Sequence, residues 1–408
     1  MKHIFLGGVY PKEKEAELFE KSNGRLSFAA NLHQWNMIKG LDENLKEPLI
    51  LVNTYFVPAY PKFQDKKVKS YTWSHCENAE DENIGFLNLR GIKNFSQKRQ
   101  IYKVVKKILD QDPKEEATVY IYTMRFCAMK AIQKLKKAGY HIHACLIVPD
   151  VPMLLSQYGQ RKGLYNRISS TYNLNQIKKM TKVMDSFVLL SEPMTELIDI
   201  GHRPYCVVDG IYSYDDVSTE CEQDENKNGT VKKIVYTGSL HKEYGICKLI
   251  EDFEKIEDTT YRLVIAGSGN AENYVKEATE KDSRISYVGT LSKDKVRELQ
   301  HSAMMLINPR QMNGIDSRYS FPSKTIEYLL CKKPVLMHRL PGMDKEYENY
   351  LFTPEKYGFD GFQKLIEYVG AMPTEERASI AEKGRAFVLQ NKSPRMQMKI
   401  VLEMVCKH

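Results

Sequence analysis

Lys324 and Glu327 stand three residues apart in the stretch YSFPSKTIEYLLCKKPVL, residues 319–336. On a helix that spacing is about 4.5 Å along the axis and nearly one face, at roughly 1.5 Å rise per residue. An ammonium and a carboxylate so placed can serve a phosphate and a pair of sugar hydroxyls on one ligand. They can equally pair with each other on a solvated face, an interaction worth about 0.2 to 0.5 kcal/mol. The residues in front of them suit an anion. Pro322 fits a first helical turn, where its missing N–H is no loss, and Ser320 can accept a capping hydrogen bond. The Ser323 and Lys324 amides then lie among the first-turn donors at the positive end of the helix dipole. Ile326, Leu329 and Leu330 are left to face a sheet, and KKPVL reads as the next strand. The helix start is expected to hold a nucleoside diphosphate and the rest of the helix to be core.

Two more turns have the same logic. VYTGSLHKEYG, residues 235–245, is a buried strand followed by Gly238, Ser239 and Lys242, with a helix expected to begin near Glu243. Backbone amides here would face a ligand, with Lys242 as the charge for phosphate. VIAGSGNAENY contains Gly267 and Gly269, but the dinucleotide fingerprint needs a third glycine where Glu272 stands, so a nicotinamide site is excluded. At the N-terminus, HIFLGG ends in Gly7 and Gly8, a pair that allows close approach of a ligand or tight packing of a helix.

The elements that position these turns follow from the alternation of short apolar runs with amphipathic helical patterns, which marks an α/β chain with parallel sheets. Strands are expected at HIFLGG, PLILVN, IGFLNL, TVYIYT, IHACLIV and SFVLLS, with helices near 27–40, 95–110, 124–138 and 164–183. The second half repeats the rhythm with KIVYTG, YRLVIAG, ISYVG, MMLIN and KPVLM and helices near 243–254, 270–281, 292–302 and 321–331. STECEQDENKNGT, residues 218–230, is polar, lacks periodicity and reads as a linker. A chain of 408 residues suits two domains. We expect 1–215 and 231–390, with a last helix at 391–408 crossing back to the first domain. Open α/β sheets bind ligands beyond the carboxyl ends of their strands, where the glycine turns fall.

Composition narrows the partners. No apolar run approaches the roughly 18 residues of a membrane span, and the N-terminus reads as a strand rather than a signal peptide. Eight cysteines lie far apart with no CxxC, mostly in apolar runs such as HACLIV. Buried reduced thiols and a cytoplasmic location are expected. The net charge of +8 sits on helical faces without the aromatic interleaving of a nucleic-acid surface, so nucleic acid is not an expected partner. The basic stretch at 160–182 mixes cations with aromatics and suits peripheral contact with an anionic membrane or a lipid diphosphate.

The run FPSKTIEYLLCKKPVL, with IVYTGSL, LVIAGSG and ISYVGTLSKDKVRELQHSAMMLINPR upstream, resembles glycosyltransferases of the GT-B fold, closest to glycosyltransferase family 4 and group 1. The resemblance covers about 230–370, with a looser extension through DSFVLLSEPMTELI and RPYCVVDGI. It implies two Rossmann-like domains facing across a crevice, a UDP- or GDP-sugar donor, no bound metal or other cofactor, and retention of anomeric configuration. It also implies that Glu327 is the second glutamate of the E-x7-E motif and holds the ribose, with Ser323 and Lys324 on the diphosphate. Two departures stand out. Tyr319 occupies the position of the first motif glutamate, and the Arg and Lys of the first donor-domain turn are missing. Lys242, Arg310 and Arg318 are then the cations near the donor sugar or diphosphate. On the acceptor side the resemblance points to Gly8, Tyr122, Thr123, Arg125 and Asp150. Asp150 can orient an acceptor hydroxyl or cap the following helix, and His33 can be catalytic or simply packed.

The implied reaction moves a sugar from a nucleotide-diphosphate sugar to a glycan or lipid-diphosphate-linked acceptor in capsule, exopolysaccharide or lipopolysaccharide assembly. A sugar-nucleotide epimerase of the same fold and a silent nucleotide-sugar-binding subunit are the alternatives.

Overall fold

The computed structural model describes residues 1–151, 175–217, 231–311 and 315–407. The chain divides into two compact units, Met1–Ile211 with Pro394–His408, and Tyr212–Ser393.

In the first unit the strands are β1 (Lys2–Gly7), β2 (Ile50–Asn53), β3 (Lys67–Val68), β4 (Tyr71–Trp73) and β5 (Asp81–Asn83). They continue as β6 (Phe86–Leu87), β7 (Ala117–Tyr122), β8 (Ile142–Val148), β9 (Ser186–Leu189) and β10 (Tyr205–Val207). Eight of them form a sheet in the order β10-β9-β8-β7-β1-β2-β5-β4, and β3 pairs with β6. Only β4 runs against its neighbour in the large sheet. Because β2 lies on one side of β1 and β7 on the other, the order reverses at β1, and the carboxyl ends of β1 and β7 flank the switch point.

The helix Phe28–Asp42 buries Met37, Ile38 and Leu41 on this sheet. The C-terminal helix Pro394–Cys406 belongs to the same unit. It buries Met398, Val401 and Val405, spaced for one helical face, in the same core. The two helices meet at Gly40, where a side chain would run into the Pro394 carbonyl.

The second unit is a five-stranded parallel sheet: β11 (Lys232–Thr237), β12 (Tyr261–Ala266), β13 (Ile285–Tyr287), β14 (Met305–Asn308) and β15 (Val335–Met337). Its order is β13-β12-β11-β14-β15, so the switch point lies between β11 and β14. The helix Ile246–Glu254 shows how the faces are covered. Ile246, Leu249, Ile250 and Phe253 follow the 3.6-residue period and enter the core with Ile234, Leu263 and Ile265.

Four sequence expectations need correction. IGFLNL is not one strand; the sheet takes Asp81–Asn83, and Phe86–Leu87 pairs with β3 instead, because an apolar run reports burial and not pairing. The helix expected near Glu243 begins at Ile246. Lys242–Tyr244 is a 3-10 turn ended by Gly245 in the left-handed region at φ 85°. The helix after Pro322 runs over Lys324–Leu330 with Ser323 at its N-cap and no capping side chain, and Ser320 accepts from Arg310 instead. Cys76 and Cys406 are exposed rather than buried. The residues 152–174 and 218–230, which carry most of the expected 164–183 helix, most of the basic stretch and the linker, lie outside the described residues. Among the described residues, no helix is long and apolar enough to cross a membrane.

Gly40→Ala is expected to lower the stability of the first unit by about 1 to 3 kcal/mol through overpacking against Pro394. Both tryptophans, Trp35 and Trp73, belong to this unit, so fluorescence-detected urea unfolding reads it directly. An unchanged midpoint would show that the helices are not in backbone contact there.

Candidate functional site

A cavity of about 480 Å³ opens at the switch point of the second sheet. Thr237, Gly238 and Ser239 at the end of β11, Gly267 and Ser268 after β12, Thr290 and Leu291 after β13, and Asn308 and Arg310 at the end of β14 line it. Phe321, Pro322, Ser323 and Lys324 close it from the start of the following helix. Its size lies within the range of small-ligand sites.

The turns that form it are stacked on one another by backbone. The Gly238 amide donates to the Ala266 carbonyl at 3.0 Å, and the Gly267 amide donates to the Gly289 carbonyl at 2.8 Å. Gly267 sits at φ 140°, and a side chain on it would overlap the Gly238 carbonyl. This residue must be glycine for two turns to approach so closely. Gly238 and Ser239 are therefore fixed in place with their backbone on the cavity.

The Lys324–Glu327 spacing becomes a bidentate ion pair, Nζ to the two carboxylate oxygens at 2.8 and 2.7 Å. It is more than a solvated helical pair. Gln300, 2% exposed, donates through Nε2 to Glu327 Oε1 at 2.6 Å and to Thr237 Oγ1 at 2.8 Å. The Tyr328 hydroxyl accepts from the Thr237 amide at 2.8 Å and lies 3.0 Å from the Thr237 carbonyl, to which it donates. Burial pushes the Tyr328 phenol well above its usual range, so it stays protonated for that second bond. Arg310 is held over the Tyr244 ring at 5.1 Å and donates to Ser320 Oγ at 2.8 Å.

Of the donor-side residues named from sequence, Gly238, Ser239, Gly267, Arg310, Ser323 and Lys324 share the cavity. Glu327 is not in its lining and joins it through Lys324. Lys242 is exposed and also outside the lining, its amide donating to Asn270 Oδ1 at 2.9 Å. Arg318 and Tyr319 lie against each other, guanidinium 5.8 Å from the ring centroid, and do not line the cavity. The sequence reading missed Thr237, Thr290, Asn308, Gln300 and Tyr328. The first three follow or end strands, a position that alone could have marked them; Gln300 and Tyr328 carry no such signal.

In the first unit the residues named for the acceptor side end or follow β1 (Gly8), β7 (Tyr122, Thr123, Arg125) and β8 (Asp150), with His33 on the helix Phe28–Asp42. His33 Nδ1 lies 3.0 Å from the Tyr122 hydroxyl, and Tyr122 packs on Phe56, whose ring lies 4.5 Å below the Arg125 guanidinium. Thr123 takes the left-handed conformation at φ 63°, rare for a β-branched residue and a mark of a constrained turn. The Gly8 amide donates to Gln34 Oε1 at 2.8 Å, and the residue packs against Phe56, so the close-packing alternative describes it. Asp150 follows β8, and burial and then its charge both raise the Tyr122 phenol. Burial pushes the His33 imidazole down to about 4, and its Nε2 is buried without a hydrogen bond. A second cavity of about 600 Å³ is lined by Met124, Ile177, Leu197 and Ile198 with Lys178, Lys179 and Lys182, the described end of the basic stretch.

Two parallel α/β units, each with a switch point at strand ends, have the architecture of GT-B glycosyltransferases, and solved members of that class match this chain over nearly its whole length. They include Anabaena HepE in complex with UDP, at 14% identity and TM-score 0.62, covering all of both chains. Sucrose-phosphate synthase from Thermosynechococcus elongatus matches at 12% identity and TM-score 0.61, covering 100% of this chain and 99% of that one. An E. coli trehalose-6-phosphate structure bound with UDP-2-fluoro glucose matches at 9% identity and TM-score 0.64, with 99% of each chain covered. Residues 231–369 match the family described as glycosyl transferases group 1. That match lies wholly within the second unit, Tyr212–Ser393. No curated protein sequence matches the chain.

Two outcomes are expected. Tyr328→Phe strands the buried Thr237 amide and lowers stability by about 1 to 3 kcal/mol in thermal unfolding followed by circular dichroism; an equal midpoint would remove the hydroxyl from the account. The His33 imidazole titrates by NMR near pH 4 and not near 6.5. Its neutral form is the one the fold favours, so this contribution to stability is complete above 6.5 and is lost as pH falls toward 4.

Proposed function

We propose that this chain is a retaining glycosyltransferase that takes a sugar from a nucleoside-diphosphate sugar, UDP-linked in the first instance, and delivers it to a glycan or lipid-linked acceptor in surface polysaccharide assembly. The observation that carries the reading is the cavity at the β11–β14 switch point, where strand-end backbone, Arg310, Ser323 and Lys324 converge and Glu327 is held one helical turn behind. Diphosphate oxygens suit the Arg310 and Lys324 charges and the Ser323 region at the helix start. Glu327, with two acceptor oxygens, suits adjacent ribose hydroxyls. As the bond from the anomeric carbon to the diphosphate breaks, negative charge grows on the leaving phosphate, and the two cations stabilise it there. The uridine preference rests on the UDP and UDP-2-fluoro glucose of the two structural neighbours. On the acceptor side, Arg125, Thr123 and Asp150, beyond the carboxyl ends of β7 and β8, are the groups assigned to an acceptor hydroxyl or phosphate, and the lysine-lined cavity suits an anionic carrier.

Tyr319, outside the cavity lining and in place of the first motif glutamate, favours one other reading: a subunit that binds the nucleotide sugar without transferring it. Thermal unfolding with UDP, GDP, ADP and CMP is the test. A nucleotide at 100 times its dissociation constant stabilises by about 2.7 kcal/mol when it binds only the folded state. UDP is expected to stabilise selectively, and Lys324→Ala and Glu327→Ala to abolish the shift. No shift with any nucleotide refutes the donor site; a shift without acceptor-dependent turnover of the UDP-sugar supports the silent subunit.

A further inference from the structure

At the β4 and β5 edge of the first unit, apart from every residue assigned above, His75 is enclosed by acidic groups. Its Nε2 lies 2.9 Å from Asp42 Oδ2 and 3.5 Å from Cys76 Sγ. Its Nδ1 lies 2.7 Å from Asp81 Oδ2, and that oxygen also accepts the His75 amide at 2.7 Å. The Asp81 side chain is 0% exposed and that of His75 3%. The other Asp81 oxygen accepts from the Leu51 amide at 2.9 Å, and the other Asp42 oxygen from the Leu49 amide at 2.9 Å. Both carboxylates are thus fixed by β2 and the residue just before it.

We propose that Asp42, His75 and Cys76 form a binding site for one zinc-class divalent transition-metal ion. One ligand atom from each lies within 4.8 Å of the others. With metal–nitrogen and metal–sulfur bonds of about 2.0 and 2.3 Å, a tetrahedral site has a nitrogen–sulfur edge of about 3.6 Å and a nitrogen–oxygen edge of about 3.3 Å. The first is met as the side chains stand, and the second needs Asp42 Oδ2 to withdraw by a few tenths of an ångström. The donor set of imidazole nitrogen, thiolate and carboxylate is one that zinc accepts, and three protein ligands leave the fourth position to water.

Asp81 supplies the second, independent argument. A metal-bound histidine characteristically donates its remaining ring N–H to a carboxylate, which fixes the ring and its tautomer. Asp81 already holds Nδ1 in that way and leaves Nε2 toward Asp42 and Cys76. Asp42 is also the last residue of the helix Phe28–Asp42, where the helix dipole disfavours an anion unless a cation neutralises it. Without a metal, the His75 ring, 2.9 Å from Asp42 Oδ2 through Nε2, faces that carboxylate directly. The metal replaces the Nε2 proton and the Cys76 thiol proton, both of which pass to solvent. It pins the end of the helix that carries His33 toward Tyr122.

Cobalt(II) is the probe, added to the full chain after removal of metals by a chelator. One equivalent is expected to bind with a thiolate-to-metal charge-transfer band, and zinc is expected to displace it. Cys76 is exposed, so Cys76→Ser is expected to fold, to lose the band and to bind at least about 10-fold more weakly. Asp81→Asn, which keeps the residue's size, is expected to cost about 10- to 100-fold in affinity. Absence of the band in the unaltered chain overturns the site, as does a band retained at full strength in Cys76→Ser, which would assign it to another thiol such as Cys406.

Discussion

The second unit depends on the hold of one phenol on one peptide. The Tyr328 hydroxyl accepts from the Thr237 N–H and donates to the Thr237 C=O, which lie where β11 leaves the sheet. No regular ladder can satisfy both groups at a point where the chain turns toward a ligand, and a buried amide without a partner is costly. Tyr328 supplies the missing partner from the helix on the other side of the cavity. It thereby sets the distance between the glycine turn after β11 and the first turn of that helix. Gln300 ties the Thr237 side chain to Glu327 across the same gap. Floor and wall of the cavity are thus held in register by buried polar bonds rather than by apolar packing alone.

Much of this was legible in the sequence where burial and periodicity coincide. The helix Ile246–Glu254 and the strands β11, β12 and β14 show as apolar runs because they are covered on both faces or on one regular stripe. The helix Lys12–Lys21 does not show: only Leu18 is buried, so there is no stripe to detect. β3, β4 and β5 are equally silent, two or three residues each with mixed burial. The sequence pattern starts two helices two or three residues ahead of Lys324 and Ile246, where they begin. Pro322 and Glu243 both fit a first turn, and the choice was made by the left-handed Gly245 and by the Arg310 contact to Ser320, which are tertiary facts.

The cavity lining follows the same division. Gly238, Ser239, Gly267, Ser323 and Lys324 were legible because a strand end followed by glycine or a helix start announces itself locally. Lys242 was legible by type but not by direction, since its amide bond to Asn270 turns the segment outward. The His75 cluster was invisible: Asp42 and His75 are 33 residues apart and meet only because β2 and β5 are neighbours. A count of cysteine and histidine spacings cannot find a site whose third donor arrives through the sheet.

The ion pair at the helix start gives the cavity a logic of its own. Lys324 and Glu327 neutralise each other, so an anion that reaches the Lys324 ammonium has to compete with a carboxylate for it. A bare phosphate that wins this exchange leaves Glu327 without a partner for oxygens it had just released. A ligand that presents phosphate and vicinal hydroxyls together fills both vacated roles at once. A pair of this kind acts as a conjunction: it favours two groups at the right separation and discounts either alone.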